Sequence, residues 1–346
     1  MERSEVLLSY VWSYGIALLS GWAFSLIHIP LAWILGPVTG LFLYKALLRG
    51  RTSQSYQARN VAFLLLGVQI GLTFTVETFS LVGPYFIPYT GLSMVMIIVS
   101  LGLAYGIARH TSIDETTSLI GAAPGGLSAM IAVSESLKAN TVLVTIFHTI
   151  RLLAVLFIVP FIVSRWFSVP AQTYVDEASV NGPVWTLFLY VVLFWISYRL
   201  RNVVPAALVI LPMLIIGGLQ ANGVAIFELP ALFFIASQVV IGVHLGHSVS
   251  ISDLKKAGKF CGYYFLLAVI IISVGIVSGM ALSHWTGMDR VTAMLALAPG
   301  GLIEMAITAQ ETGGQPSVVS SLQTIRLLTI VLLLPLLFKW GLPKLR

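Results

Sequence analysis

Two arginines set in apolar sequence are the residues best suited to chemistry. Arg151 and Arg326 each sit in the run Thr-Ile-Arg-Leu-Leu, at Thr149 to Leu153 and at Thr324 to Leu328, about ten residues into an apolar segment. At 1.5 Å of rise per residue this is roughly 15 Å deep, near the centre of a bilayer. A guanidinium held there costs at least about 2.5–3.5 kcal/mol, so it must face a partner inside the protein. An anion would use both guanidinium forks. Alternatively, each arginine donates to carbonyls freed by a broken helix, or pairs with Glu135, Glu304 or Glu311.

The break is expected from a second repeated run. Ala123-Pro124-Gly125-Gly126-Leu127 recurs as Ala298-Pro299-Gly300-Gly301-Leu302. Proline removes a backbone donor and the two glycines accept non-helical dihedrals, so a helix opens there. Opened backbone in hydrocarbon is tolerated only beside protein or a water-filled cavity. Half-helices starting after Gly126 and Gly301 would aim N–H groups and positive dipole ends at one place, which favours an anion. The expected substrate-binding set is therefore Pro124, Gly125, Gly126, Thr149 and Arg151 with Pro299, Gly300, Gly301, Thr324 and Arg326. Glu304, one turn past the second break, is a carboxylate that could titrate and couple transport to protons; its counterpart is Ala129. Glu135, Gln310, Gln323 and His148 complete the ion-coupling candidates, His148 matching Gln323 and Glu135 matching Gln310. His244 and His247 stand three apart on one helical face. Two imidazoles without a nearby Cys or carboxylate more often sit at an interface near the headgroups, so neither a metal site nor a cofactor is expected.

These residues are positioned by a duplication. Pro124 to Pro299 and Arg151 to Arg326 are both 175 residues, and 121–160 shares 13 of 40 positions with 296–335. A gap-free repeat of this length places two copies at 1–170 and 171–346. Pro30 and Pro37 match Pro205 and Pro212, and Asp114 with Thr117 matches Asp289 with Thr292. Both aspartates are expected to cap helix N-termini. Ile70-Gly71 matches Ile241-Gly242 at 171, which implies four residues lost from a loop of the second copy.

Composition fixes the solvent. With 58% hydrophobic and 9% charged residues, the chain lies far from soluble usage, where about a quarter of residues are charged. Apolar helices are expected at about 8–27, 30–47, 60–82, 84–108 and 141–164, and again at 183–198, 204–221, 230–248, 260–283 and 317–338, with interrupted segments at 114–137 and 290–311. The net charge of +6 follows from short basic loops, the signature of orientation in a bilayer and not of nucleic-acid binding. The single Cys261 excludes an intrachain disulfide. In the first copy the loop between helices two and three is basic (Lys45, Arg49, Arg51, Arg59), whereas in the second the loops on either side are (Arg199 and Arg201; Lys255, Lys256 and Lys259). If basic loops stay cytoplasmic, the repeats are inverted, with both termini inside. The expected fold is thus an all-α membrane protein of two inverted-topology repeats, each of about five transmembrane helices plus one broken or re-entrant Pro-Gly-Gly helix. Ten spans result, or twelve if 290–311 crosses.

The paired Ala-Pro-Gly-Gly-Leu and Thr-Ile-Arg-Leu-Leu runs, in a basic duplicated chain of this size, resemble the AbrB family of duplicated bacterial membrane proteins over nearly the whole length. That resemblance implies a multi-pass protein of the bacterial cytoplasmic membrane. Family members are often labelled ammonia monooxygenase or regulator of gene expression. A copper oxygenase would need converging histidines, and the six here (28, 110, 148, 244, 247 and 284) are scattered. The family name is shared with a soluble DNA-binding regulator, which a chain with no extramembrane stretch does not resemble. The sequence favours a secondary transporter over an enzyme: it moves a small, anionic organic solute through a midplane site between the repeats, coupled to H⁺ or Na⁺, and carries no Walker motif. Its partners are then the bilayer, the anion and the coupling ion, with no nucleic acid; a homodimer is compatible. The alternatives are a membrane-embedded oxidoreductase and a non-transporting regulator of gene expression.

The inverted topology is testable in a cysteine-free background. Single cysteines at Arg51 and Lys256 should both be labelled from the cytoplasmic side, and those at Leu81 and Glu228 from outside. Labelling of 51 and 256 from opposite faces would exclude inversion.

Overall fold

The computed structural model describes residues 2–124, 127–167 and 182–341. The predicted residues Gly125 and Gly126 and the boundary between the copies lie outside them. Among the described residues the chain is all helical: α1 Glu2–Leu26, α2 Ala32–Leu48, α3 Tyr56–Leu72, α4 Val76–His110, α5 Glu115–Ala122, α6 Leu127–Ser136 and α7 Thr141–Trp166. A 3-10 turn then leads into α8 Leu187–Leu200, α9 Ala207–Ala221, α10 Ala231–Ser248, α11 Ile251–Ala257, α12 Phe260–Thr286, α13 Arg290–Leu297, α14 Leu302–Thr312 and α15 Pro316–Gly341. Four of these, α4, α7, α10 and α12, are long and apolar enough to cross a membrane. Large apolar side chains such as Leu19, Ile87 and Leu232 stand exposed on helix flanks, as they must where hydrocarbon replaces water.

The duplication governs helix ends as well as motifs. Both ends of α5 and α13, and both ends of α7 and α15, differ by the same 175 residues that separate the two arginines. Asp114 and Asp289 cap α5 and α13 alike, accepting from the backbone N–H of Thr117 at 3.0 Å and of Thr292 at 2.8 Å. Leu31 and Ala206, also 175 apart, precede α2 and α9 with left-handed φ of 53° and 51°.

The helices fall into two compact units, each drawing on both copies. One comprises Met1–Ser80, Ser164–Ile251 and Ala306–Ser317; the other comprises Leu81–Val163, Ser252–Met305 and Val318–Arg346. In the first unit, helices of opposite copies cross in matched pairs, α3 on α9 and α10 on α2. Glycines set the closeness of these crossings. A Cβ on Gly67 would lie 2.5 Å from the Val209 carbonyl oxygen, and one on Gly242 would lie 2.8 Å from that of Ile34. One turn on, Gly71 faces Met213 as Gly246 faces Val38. Each is a small-xxx-small seam, the device that lets membrane helices touch backbone to backbone.

This packing corrects the 171-residue match. Gly67 pairs with Gly242 and Gly71 with Gly246 at the common 175, so the copies align here without a gap as Gly-Val-Gln-Ile-Gly on Gly-Val-His-Leu-Gly. A second correction concerns the division at 82–84. The chain breaks earlier, between Leu72 and Val76, where the Thr75 N–H donates to Thr78 Oγ1 as in one half of a capping box. Pro84 and Pro88 lie inside α4, tolerated as prolines are in membrane helices whose neighbours resatisfy the backbone. The break expected near Gly83 occurs only in the second copy, at Gly258, where φ is +53° between α11 and α12.

The second unit is cored by α4, α5, α7, α12, α13 and α15. Phe147 and Tyr264 stack within it at 3.4 Å between centroids and 6° between planes.

Adding a methyl group at either seam should be costly. Gly67→Ala and Gly242→Ala are expected to destabilise by about 1–3 kcal/mol through overpacking. Gly102→Ala, with nothing within 4 Å of its Cβ, should be neutral or slightly stabilising. Melting temperatures of the detergent-purified variants check this; equal melting of all three would deny the seams their role.

Candidate functional site

Helices α5 and α13 end inside the second unit, and a helix end leaves its last four carbonyls without intrahelical donors. In α13 each of these carbonyls has a side-chain donor. Gln323 Nε2 donates to Leu295 O at 2.9 Å and to Ala298 O at 3.2 Å, and Tyr89 Oη donates to Ala296 O at 3.2 Å. Arg326 Nη1 reaches Leu297 O at 3.5 Å and Ala298 O at 2.7 Å, while its Nη2 donates to Gly300 O at 3.0 Å and to the Gln323 side-chain oxygen. The guanidinium thus spans the non-helical stretch, with its positive charge at the negative end of the α13 dipole.

The first copy repeats the arrangement. Arg151 Nη1 lies 3.4 Å from Ala122 O and 2.7 Å from Ala123 O, and Ser100 Oγ donates to Ala122 O at 2.9 Å. Both arginines thus donate to carbonyls at the helix ends. The copies differ in their other donors. Where Gln323 makes its bonds, His148 is buried with both ring nitrogens unpartnered among the described residues.

Two of the carboxylates lie at helix starts. Glu311 lies at the start of α2, where its Oε2 accepts from the Leu31 N–H at 2.8 Å. It compensates the positive end of that helix. Glu304 folds back over the start of α14: its Oε2 would be 2.0 Å from a Cβ on Gly301. This is the third position of the helix, from which a glutamate reaches back to cap the turn. A side chain at Gly301 would displace this carboxylate. Gly300 is crowded only by the tip of Met305, at 2.9 Å.

The remaining candidates are dispersed. Thr149 Oγ1 donates to Thr145 O at 2.9 Å and Thr324 Oγ1 to Ser320 O at 2.8 Å, so both hydroxyl protons are used within their own helices. Glu135 and Gln310 are exposed at the far ends of α6 and α14. His244 and His247 turn to different neighbours, Gln54 Oε1 at 2.5 Å and Thr52 Oγ1 at 2.8 Å. Among the described residues no three His, Cys, Asp or Glu gather as metal ligands would.

Two contributors escape sequence reasoning, Tyr89 and Ser100. Tyr89 had a signal, since Tyr264 stands 175 residues on and is also a buried hydroxyl, bonded to Ser118 Oγ at 2.6 Å. Ser100 had none, because its counterpart is Gly275.

A protein of Bacillus subtilis (strain 168), named "Uncharacterized protein YhjN", is 26% identical over 361 positions, covering 97% of this chain and 94% of its own. A protein of Escherichia coli (strain K12), named "Putative regulator AbrB", is 26% identical over 326 positions, 92% of each chain. The family model described as "Transition state regulatory protein AbrB" matches residues 33–341, which takes in both arginines and both Pro-Gly-Gly runs, and the chain belongs to the AbrB family.

Proposed function

We propose that this protein is a secondary transporter of a small organic anion, built from two inverted repeats in the bacterial cytoplasmic membrane with both termini inside. The observation that carries the proposal is the pair of helix interruptions, α5 to α6 and α13 to α14, which share one sequence position in the two copies and each have a half-buried arginine on the preceding carbonyls. Interrupted helices at equivalent places in the two halves are where transporters bind substrate. In this reading the arginines hold the breaks open and lend positive charge, while the first N–H groups of α6 and α14 supply the contacts to the anion. Coupling to H⁺ or Na⁺ belongs to the polar groups that differ between copies, Glu304 against Ala129 and His148 against Gln323. The name of the Escherichia coli relative supports a second reading, a membrane regulator without flux of its own. Uptake of labelled organic anions by proteoliposomes separates the two: gradient-driven accumulation supports transport, and binding without flux supports regulation.

Two substitutions test the site. Pro299→Ala with Gly300→Ala restores a continuous helix, and the flexible Met305 tip can yield to the added methyl. The double variant is expected to fold and to lose anion-induced thermal stabilisation; unchanged stabilisation would reduce the break to a packing kink. Arg326→Lys keeps the charge but cannot span Ala298 O and Gly300 O from two nitrogens. It should lower the ligand-free stability by about 1–3 kcal/mol, the cost of unsatisfied buried carbonyls. A lysine variant that melts like wild type would show that the carbonyl bonds do not hold the break.

A further inference from the structure

The first unit contains a cavity of about 890 Å³ that the transport reading does not use. Its wall is formed by the end of α2, the segment that follows it, and the end of α10. Lys45, Arg49 and Arg51 line it together with the hydroxyl residues Thr52, Ser53 and Ser250, and no carboxylate does. The size lies within the range of small-molecule sites, roughly 300–1,000 Å³.

The three cations have different duties. Lys45 is spent on structure: its Nζ donates to Gly246 O at 2.7 Å, His247 O at 3.2 Å and Val249 O, closing the α10 terminus. The side chains of Arg49 and Arg51 are exposed and make no hydrogen bond or ion pair among the described residues. Arg49 also carries a cost. It ends α2 with φ 52°, the left-handed position that glycine or asparagine fills most readily. Helix termination therefore does not call for arginine there. The corresponding segment of the second copy, 220–228, contains no Lys or Arg and ends in Glu228, so the arginines that line this cavity belong to the first copy alone.

The surroundings indicate where the ligand comes from. Leu47 and Leu48, directly before Arg49, are 76% and 73% exposed, and Trp12, three residues beyond the wall residue Ser9, is 53% exposed. The cavity thus opens where a hydrocarbon-facing surface gives way to cations, the level of phospholipid headgroups. Guanidinium forks and hydroxyls are the donors that phosphate oxygens take.

We propose that this cavity is a binding site for a phosphate-bearing anion, held by Arg49 and Arg51. The same chemistry is offered by an anionic phospholipid headgroup and by a free phosphate ester. Thermal stabilisation of the full-length protein in detergent is measured with phosphatidylglycerol, phosphatidylcholine, glycerol 3-phosphate and inorganic phosphate, for wild type, for Arg49→Gln with Arg51→Gln, and for Lys255→Gln with Lys256→Gln as a charge-matched control. Phosphatidylglycerol is expected to stabilise wild type and the control alike, and to bind the double-arginine variant roughly thirty-fold more weakly, about five-fold per cation. Stabilisation by glycerol 3-phosphate or inorganic phosphate with the same loss in that variant supports the site and assigns it to soluble phosphates. The proposal is overturned if none of the phosphates stabilises, or if the control variant weakens binding as much as the arginine variant.

Discussion

A helix that stops inside a membrane protein leaves carbonyls that water cannot reach, and the second unit is organised around satisfying them. The ends of α5 and α13 draw donors from α4 and from α7 or α15: Ser100 and Arg151 in one copy, Tyr89, Gln323 and Arg326 in the other. Arginine suits this because one planar group presents several N–H donors in fixed directions. A buried guanidinium surrounded by carbonyls also avoids the full cost of an uncompensated charge. The same bonds fix where the non-helical residues lie, so the scaffold and the candidate site are one set of interactions.

The first unit answers a different constraint. Between apolar helices in hydrocarbon there is no hydrophobic drive to associate, and close contact must supply the attraction. Gly67 and Gly242, with Gly71 and Gly246 a turn later, let α3 and α10 settle on carbonyls of α9 and α2. The lysine at the end of α2 then ties down the α10 terminus, so one crossing is both packed and capped.

Much of this was legible in the residues. The all-helical character, the 175-residue period and the aspartate caps follow from composition and motif, because each is encoded locally. What escaped is what local sequence does not hold. The identical dipeptides Ile70-Gly71 and Ile241-Gly242 suggested a shifted match, whereas packing needs the glycines one turn apart that face the crossing helix, and these keep the common period. Gly83-Pro84 looked like a terminus, yet a proline in an apolar helix is tolerated where neighbours supply the missing bond. That Glu304 lies folded against Gly301 shows only once the backbone is seen. Arg151 and Arg326 were identified as buried and partnered; that their partners are helix-end carbonyls could be chosen between alternatives only from three-dimensional proximity.

The crossed seams also bear on descent. Because α2 lies against α10 and α3 against α9, the glycine face of each copy is covered by a helix of the other. A half-length ancestor with one such helix pair would have had that face bare as a single chain, and two molecules of it could have closed the same seams by exchange. Gene fusion would then have joined an obligate pair into one polypeptide, after which Glu304 and Ala129, or Gln323 and His148, were free to diverge.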